Sequence, residues 1–321
     1  MADIIVLAEL DGGAVSDISR QCLTVARGLA AGGKVVGVVA GGGSRGPAAQ
    51  LFGLGADEVF AADDGRLGGY AARPYLAALA GWVRGRGAAA VLCPGSTSGN
   101  DFAPSLAASL GAGCALMCDR VEPRDGRLVF RRAEFDRKVM TSYAAAGGRP
   151  IVASLRDGAA EPAALDPSRT GAVADIPVTL DAAALTSKVL TRDVAAKTVN
   201  LKGAKIIVSA GAGVGSADGL KVVRELAETL GAQIGATRAV VDAGWLPADH
   251  QVGQTGSTVR PDVYIACGIS GAVQHRVGMM DAGKIVAVNT DPNAPIFRIA
   301  HYRIVGDLKV VVPKLVKLLK S

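Results

Sequence analysis

Short valine-rich runs alternate along this chain with alanine- and leucine-rich stretches of helical spacing, joined by glycine turns. In the first half, DIIVLAE (3–9) leads into a segment over 16–31 where Ile18, Cys22, Val25, Ala26 and Leu29 fall at helical spacing. KVVGVVA (34–40), DEVFAA (57–62) and AAAVLCPGS (88–96) read as three more buried strands. A second long helix is expected from Pro74 to Arg84, and another over DFAPSLAASLG (101–111). That order predicts an α/β fold whose amino-terminal part is an open, mostly parallel sheet with helices on both faces. Residues are 50% hydrophobic but only 4% aromatic, so the core must be built from Ala, Val, Leu and Ile. The 42 glycines are scattered between apolar runs, which marks tight turns and not low complexity.

Over 115–155 the pattern changes to the short strands GRLVFRRAEF, RKVMTSY and PIVASLR, a strand-rich edge on the first sheet. The stretch 157–200 is rich in Pro, Asp, Ser and Thr and reads as a linker. At 321 residues the chain has room for two domains, expected at 1–188 and 189–321. The second begins with the strand AKIIVSA (204–210), the turn GAGVGS and the helix ADGLKVVRELAETLG. VYIACG (263–268) and KIVAVN (284–289) follow as strands, and GDLKVVVPKLVKLLK closes as a helix with Pro313 near its first turn.

The formal charge of +6 accords with an anionic cofactor or an acidic protein partner, or with a merely solvated surface. There is no dense Lys/Arg stripe interleaved with aromatics, so no nucleic-acid partner is expected. Cys22, Cys93, Cys114, Cys118 and Cys267 form no CxxC pair, which argues against a metal or iron–sulfur site and for reduced, mostly buried thiols. MADIIVLAEL does not read as a signal peptide, and no apolar run approaches the ~18 residues of a membrane helix, so a soluble cytoplasmic protein without membrane insertion is expected.

The polar turns after the second domain's strands carry the chemistry. GAGVGS (211–216) sits where a dinucleotide fingerprint would, but Ser216 stands at its last glycine; phosphate contact and a plain tight turn both remain open. Arg238 in TRAVVDAGW either pairs with Asp242 or presents a permanent charge to a bound anion or ring. In QVGQTGSTVRPDVYIACGISGAVQH (251–275), Gln254 and Thr255 lie between glycines, and Ser270, Gly271, Gln274 and His275 follow a strand end. His275 alone reads equally as a helix-surface residue. Asn289 ends the next strand, and Asp307 is either a ligand contact or a plain helix N-cap. Together these turns suit a long ligand with phosphates in the middle and a hydrogen-bonding ring at one end, the shape of a flavin dinucleotide.

These motifs resemble the α subunit of electron-transfer flavoproteins. TRAVVDAGWLP, QVGQTG, YIACGISGAVQH, VAVNTDPNAPIF and GDLKVVVPKL occur in that family's order and spacing, and GSTSGNDFAPSLAASLGAGCALMCD extends the likeness into the first half. The resemblance implies a carboxyl-terminal Rossmann-like FAD-binding domain and a heterodimer with a β subunit. It implies FAD contacts from Thr237, Arg238, Gln251, Val252, Gly253, Gln254, Thr255, Ser270, Gly271, Ala272, Val273, Gln274, His275, Asn289, Asp307 and Leu308. By the same resemblance Arg238 lies against the isoalloxazine, Thr255 bonds near N5 and His275 faces the O2 side of the ring. A fixed cation and donors there favour the negative charge that reduction places on the ring. One departure stands out: the family commonly reads GGRG after the first strand, and here Ala212 replaces the arginine.

The function this implies is an electron carrier without a catalytic residue of its own. It would take electrons from acyl-CoA dehydrogenase-type flavoproteins, as in fatty acid β-oxidation, and pass them to a quinone reductase or another acceptor. The alternatives are the α subunit of an NADH-oxidising, electron-bifurcating complex, or a flavin-free nucleotide-binding or scaffold protein of the same fold.

Overall fold

In the computed structural model, which describes residues 3–30, 32–135, 138–146, 149–187, 190–191 and 198–320, the chain divides into two units, Met1–Arg192 and Asp193–Ser321. The boundary expected at 188/189 lies outside the described residues.

The first unit opens with β1 (Ile4–Ala8), the hairpin strands β2 (Leu10–Asp11) and β3 (Ala14–Val15), α1 (Asp17–Leu29) and β4 (Val35–Gly41). Two short helices follow, α2 (Arg45–Ala48) and α3 (Gln50–Gly53), then β5 (Glu58–Asp63), α4 (Ala72–Arg86), β6 (Ala90–Pro94) and α5 (Thr97–Leu110). The strand-rich stretch gives β7 (Gly113–Cys118), β8 (Arg120–Arg124), β9 (Arg127–Glu134), β10 (Val139–Ala144) and β11 (Ile151–Leu155), with β12 (Ala174–Asp175) last. Seven strands form one sheet in the order β12-β5-β4-β1-β6-β11-β7, every pair parallel.

Runs such as IIVLA and AVLCP have both faces covered and are buried at every position, as a sheet sandwiched between helices requires. A fully buried isoleucine such as Ile4 or Ile5 contributes about 1.5–3 kcal/mol of apolar transfer. One apolar cluster packs α1 on one side of the sheet and a second packs α4 and α5 on the other.

The structure refines the sequence reading at three points. The strand-rich segment divides: β7 and β11 extend the main sheet, while β8, β9 and β10 form their own antiparallel sheet. Helix α5 starts at Thr97 and not at Asp101, because Ser96 caps it, its Oγ accepting from the Gly99 N–H at 2.9 Å. Much of the expected linker is a strap on the first unit. Arg169 donates to the Phe52 and Ala56 carbonyls at 3.1 and 3.0 Å, β12 pairs with β5, Arg45 pairs with Asp175, and Ile176 is buried. Its Pro/Asp/Ser/Thr composition concealed this, since the strap is held by backbone and arginine contacts more than by apolar burial.

In the second unit, β13 (Ile206–Ala210), α6 (Leu220–Leu230), β14 (Gln233–Ala236), α7 (Arg238–Asp242), β15 (Val263–Cys267), α8 (Val273–Arg276), β16 (Lys284–Asn289), β17 (Tyr302–Val305) and α9 (Leu308–Lys320) follow in order. The sheet runs β14-β13-β15-β16-β17, all parallel. Pro313 is the sixth residue of α9, one turn deeper than its sequence position implied. Among the described residues, no helix is long and apolar enough to cross a membrane, and no group of three or more His, Cys, Asp or Glu could hold a metal. All five cysteines are unpaired, with Cys114 exposed and the others buried.

Candidate functional site

A parallel sheet sends the loop after each strand to one edge, and in the second unit the chain's direction of travel reverses between β13 and β15. A crevice forms at such a reversal, which is where open α/β sheets take ligands. There the Gly211 N–H donates to the Cys267 carbonyl at 2.9 Å and the Gly213 N–H to the Gly268 carbonyl at 3.0 Å. The two turns approach so closely that a Cβ on Gly211 would stand 2.2 Å from the Gly268 oxygen, and only glycine fits.

The same edge collects the other predicted segments. Thr237 N–H donates to the Ala210 carbonyl, and Val252 N–H to that of Ala236, both at 2.9 Å. The two loops of 251–275 are tied directly, Gln254 N–H donating to the Gln274 carbonyl at 2.7 Å. Gly271, at φ +84°, turns the chain so that the Ser270 carbonyl accepts from Ile296 N–H at 2.9 Å. The Asn289 side-chain amide donates to the Ile269 carbonyl at 2.9 Å, and Leu308 packs onto Gly268. Asp307 accepts from Lys309 N–H at 2.8 Å and caps α9, the plainer of its two readings.

His275 is buried, not a surface residue. Its Nδ1 lies 3.0 Å from the Val252 carbonyl, to which it must donate. That leaves Nε2 as acceptor for the Tyr264 hydroxyl at 3.1 Å. Burial lowers its pKa to about 4, against the opposing pull of the Val252 carbonyl, so the imidazole is neutral at pH 7. Burial also pushes the Tyr264 hydroxyl up, which keeps it a donor. Tyr264 escaped the sequence reading because it sits inside an apolar strand run, where its hydroxyl gives no pattern of its own.

Around this buried frame the remaining side chains are open. Gln254, Thr255, Ser270, Ala272, Val273 and Gln274 are exposed. Gln251 donates to the Thr255 hydroxyl at 2.8 Å. Arg238 is 69% exposed on its side chain and reaches Asp242 at 3.2 Å, so its sequence-visible partner is real but solvent-facing. Ala212 is exposed and starts the short turn of helix at 212–214.

The Thr237 hydroxyl is buried and, among the described residues, has no hydrogen-bond partner. An orphaned hydroxyl at a ligand edge calls for an outside partner. With close-approach glycines, a solvent-facing arginine paired at its Nε with Asp242, and open amide and hydroxyl groups, these residues fit a flavin dinucleotide.

Comparison with known proteins agrees. Residues 4–181 match the electron transfer flavoprotein domain, and residues 200–280 match the electron transfer flavoprotein FAD-binding domain. The chain is 38% identical to the electron transfer flavoprotein subunit alpha of Thermoanaerobacterium thermosaccharolyticum, over 99% of this chain and 98% of that one. It is 37% identical to the subunit alpha of Bacillus subtilis, over 99% and 97% of the two chains. It is also 38% identical to Protein FixB of Azotobacter vinelandii, over 98% and 90%. The chain therefore belongs to the α-subunit family of electron-transfer flavoproteins: its carboxyl-terminal unit is a FAD-binding domain, and an α subunit implies a β-subunit partner.

Proposed function

We propose that this α subunit, paired with its β subunit, carries electrons from acyl-CoA dehydrogenase-type flavoproteins to a quinone reductase or another redox acceptor. What supports this reading is that Arg238, Gln254 and Thr255, which the family resemblance sets at the flavin ring, all face solvent in this chain. An exposed edge suits exchange of electrons with another protein's cofactor, whereas chemistry on a bound substrate calls for exclusion of water. When bound, FAD supplies the redox chemistry, and the chain supplies position and electrostatics.

The residues would hold it as follows. Thr237 gives its orphaned hydroxyl, Arg238 a permanent positive charge, and Gln254 and Thr255 polar contacts from a loop pinned by Gln274. Ser270 to Gln274 offer backbone and side-chain groups along the reversal crevice, with Asn289, Asp307 and Leu308 at its far side. His275 braces the crevice from beneath through Val252 and Tyr264. The unpaired cysteines accord with a reducing compartment, and the cytoplasm is the location this reading takes.

The test is anaerobic mixing of the co-purified αβ complex with an acyl-CoA dehydrogenase and its acyl-CoA substrate, followed at the flavin's visible band. Bleaching that needs the dehydrogenase supports the carrier. Reduction by NADH, with a second flavin in the complex, replaces it with the bifurcating alternative. No reduction by either donor contradicts both.

A further inference from the structure

The first unit has a reversal point of its own, between β1 and β6, and it opens into a cavity of about 500 Å³. That size falls in the range of small-molecule sites. The ends of β1, β4 and β6 form its floor, with apolar side chains from Leu7, Val38, Cys93 and Phe102. Among the described residues, none that lines it is Lys or Arg.

Its polar groups are specific. Glu9 lies in the wall; its carboxylate accepts from the Ser96 hydroxyl at 2.6 Å, and among the described residues no ion pair serves it. Burial raises the Glu9 carboxyl above its ordinary value, opposed by hydrogen bonds from Ser96 and Gly99. The Ser44 hydroxyl lines the same cavity, is 1% exposed, and has no hydrogen-bond partner among the described residues. Tyr70 and Tyr75 stand edge to face with ring centroids 5.1 Å apart, and Tyr75 meets Phe102 at 6.3 Å. Tyr70 also donates to Asp101 at 2.7 Å.

We propose that this cavity binds a small organic cation of the amidinium or guanidinium type, with Glu9 as its counter-ion, Ser44 as a second acceptor, and the Tyr70–Tyr75–Phe102 cluster as the surface for its apolar body. A carboxylate at an apolar wall without a cation of its own asks for one from outside. Aromatic faces favour cations, and a planar group with several N–H donors suits a carboxylate bidentately while keeping further donors for another acceptor in the same cavity. An anionic ligand is disfavoured at the same place: Ser96 already caps the start of α5, and Glu9 sets a negative charge beside it.

Benzamidine is the probe, titrated calorimetrically into the αβ complex. Saturable binding is expected, at least tenfold weaker in Glu9→Gln and several-fold weaker in Ser44→Ala, with flavin content unchanged in both. Benzamide, the uncharged isostere, should not bind measurably. Equal binding by Glu9→Gln, equal affinity for benzamide, or no binding of benzamidine to the wild-type complex would overturn the proposal. If Glu9→Gln does not fold, Ser44→Ala and the benzamide comparison decide it.

Discussion

The Tyr264 hydroxyl stands 3.1 Å from Nε2 of His275, whose Nδ1 is committed to the Val252 carbonyl, so one buried histidine joins the centre of the sheet to the loop at its edge. The histidine is neutral because it is desolvated, against the opposing pull of the Val252 carbonyl.

This neutrality has a pH signature. The folded pKa of His275 is depressed to about 4 from 6.5, so the unfolded chain takes up the proton first as pH falls. The stability from neutral His275 is complete above about pH 6.5 and is lost progressively as pH falls towards 4. At 1.36 kcal/mol per unit this is worth up to ~3 kcal/mol. Thermal denaturation of the complex between pH 7.5 and 5 should show a steeper loss for wild type than for His275→Gln. Parallel curves would show that the imidazole is not buried in solution.

Thr237→Val should act in opposite directions on the empty and loaded protein. The valine removes a buried hydroxyl that has no partner among the described residues, so the flavin-stripped complex should be equally or more stable. Affinity for FAD should fall about five- to tenfold, the worth of one hydrogen bond of ~1 kcal/mol. Fluorescence titration with FAD, beside melting of the stripped complex, separates the two effects.

Arg238 and Asp242 are both mostly exposed, so their ion pair contributes at most ~1 kcal/mol to folding. Arg238→Ala should therefore leave the melting temperature nearly unchanged while lowering the flavin's midpoint potential. A charge contribution of roughly 1–3 kcal/mol corresponds to about 20–60 mV for a two-electron couple. Asp242→Ala should leave stability unchanged too, and it should move the potential upward if it moves it at all. Redox titration against dyes of known potential reads both.

Ala212 occupies an exposed position in the turn that packs on Gly268. Ala212→Arg should strengthen FAD retention by up to about fivefold, the scale of one solvent-exposed charge contact of ~1 kcal/mol. The gain should shrink as salt rises. Dialysis of the complex at low and high ionic strength, with released flavin counted, checks it.

Much of this architecture was legible because strands buried on both faces write themselves as unbroken apolar runs, as IIVLA and VVGVV do. The start of α5 was misplaced because Gly, Ser, Thr and Asn read as a turn until the Ser96 cap is seen. β17 was missed because only one edge of Tyr302–Val305 is paired and three of its four residues are exposed, leaving no apolar run. Within the site, the glycine turns and their polar residues were visible as a series. The burial of His275 was not, since it depends on Tyr264 and on a carbonyl 23 residues away.

Everything above turns on one FAD held by the strand-end loops of the second unit. Extraction and counting of flavin from the purified αβ complex, for wild type and Thr237→Val, tests it most directly. One FAD bound in this unit of the wild-type complex is expected, with less retained after dialysis of the variant. A wild-type complex without flavin, or a variant that retains it as firmly, would show that these loops do not hold the cofactor.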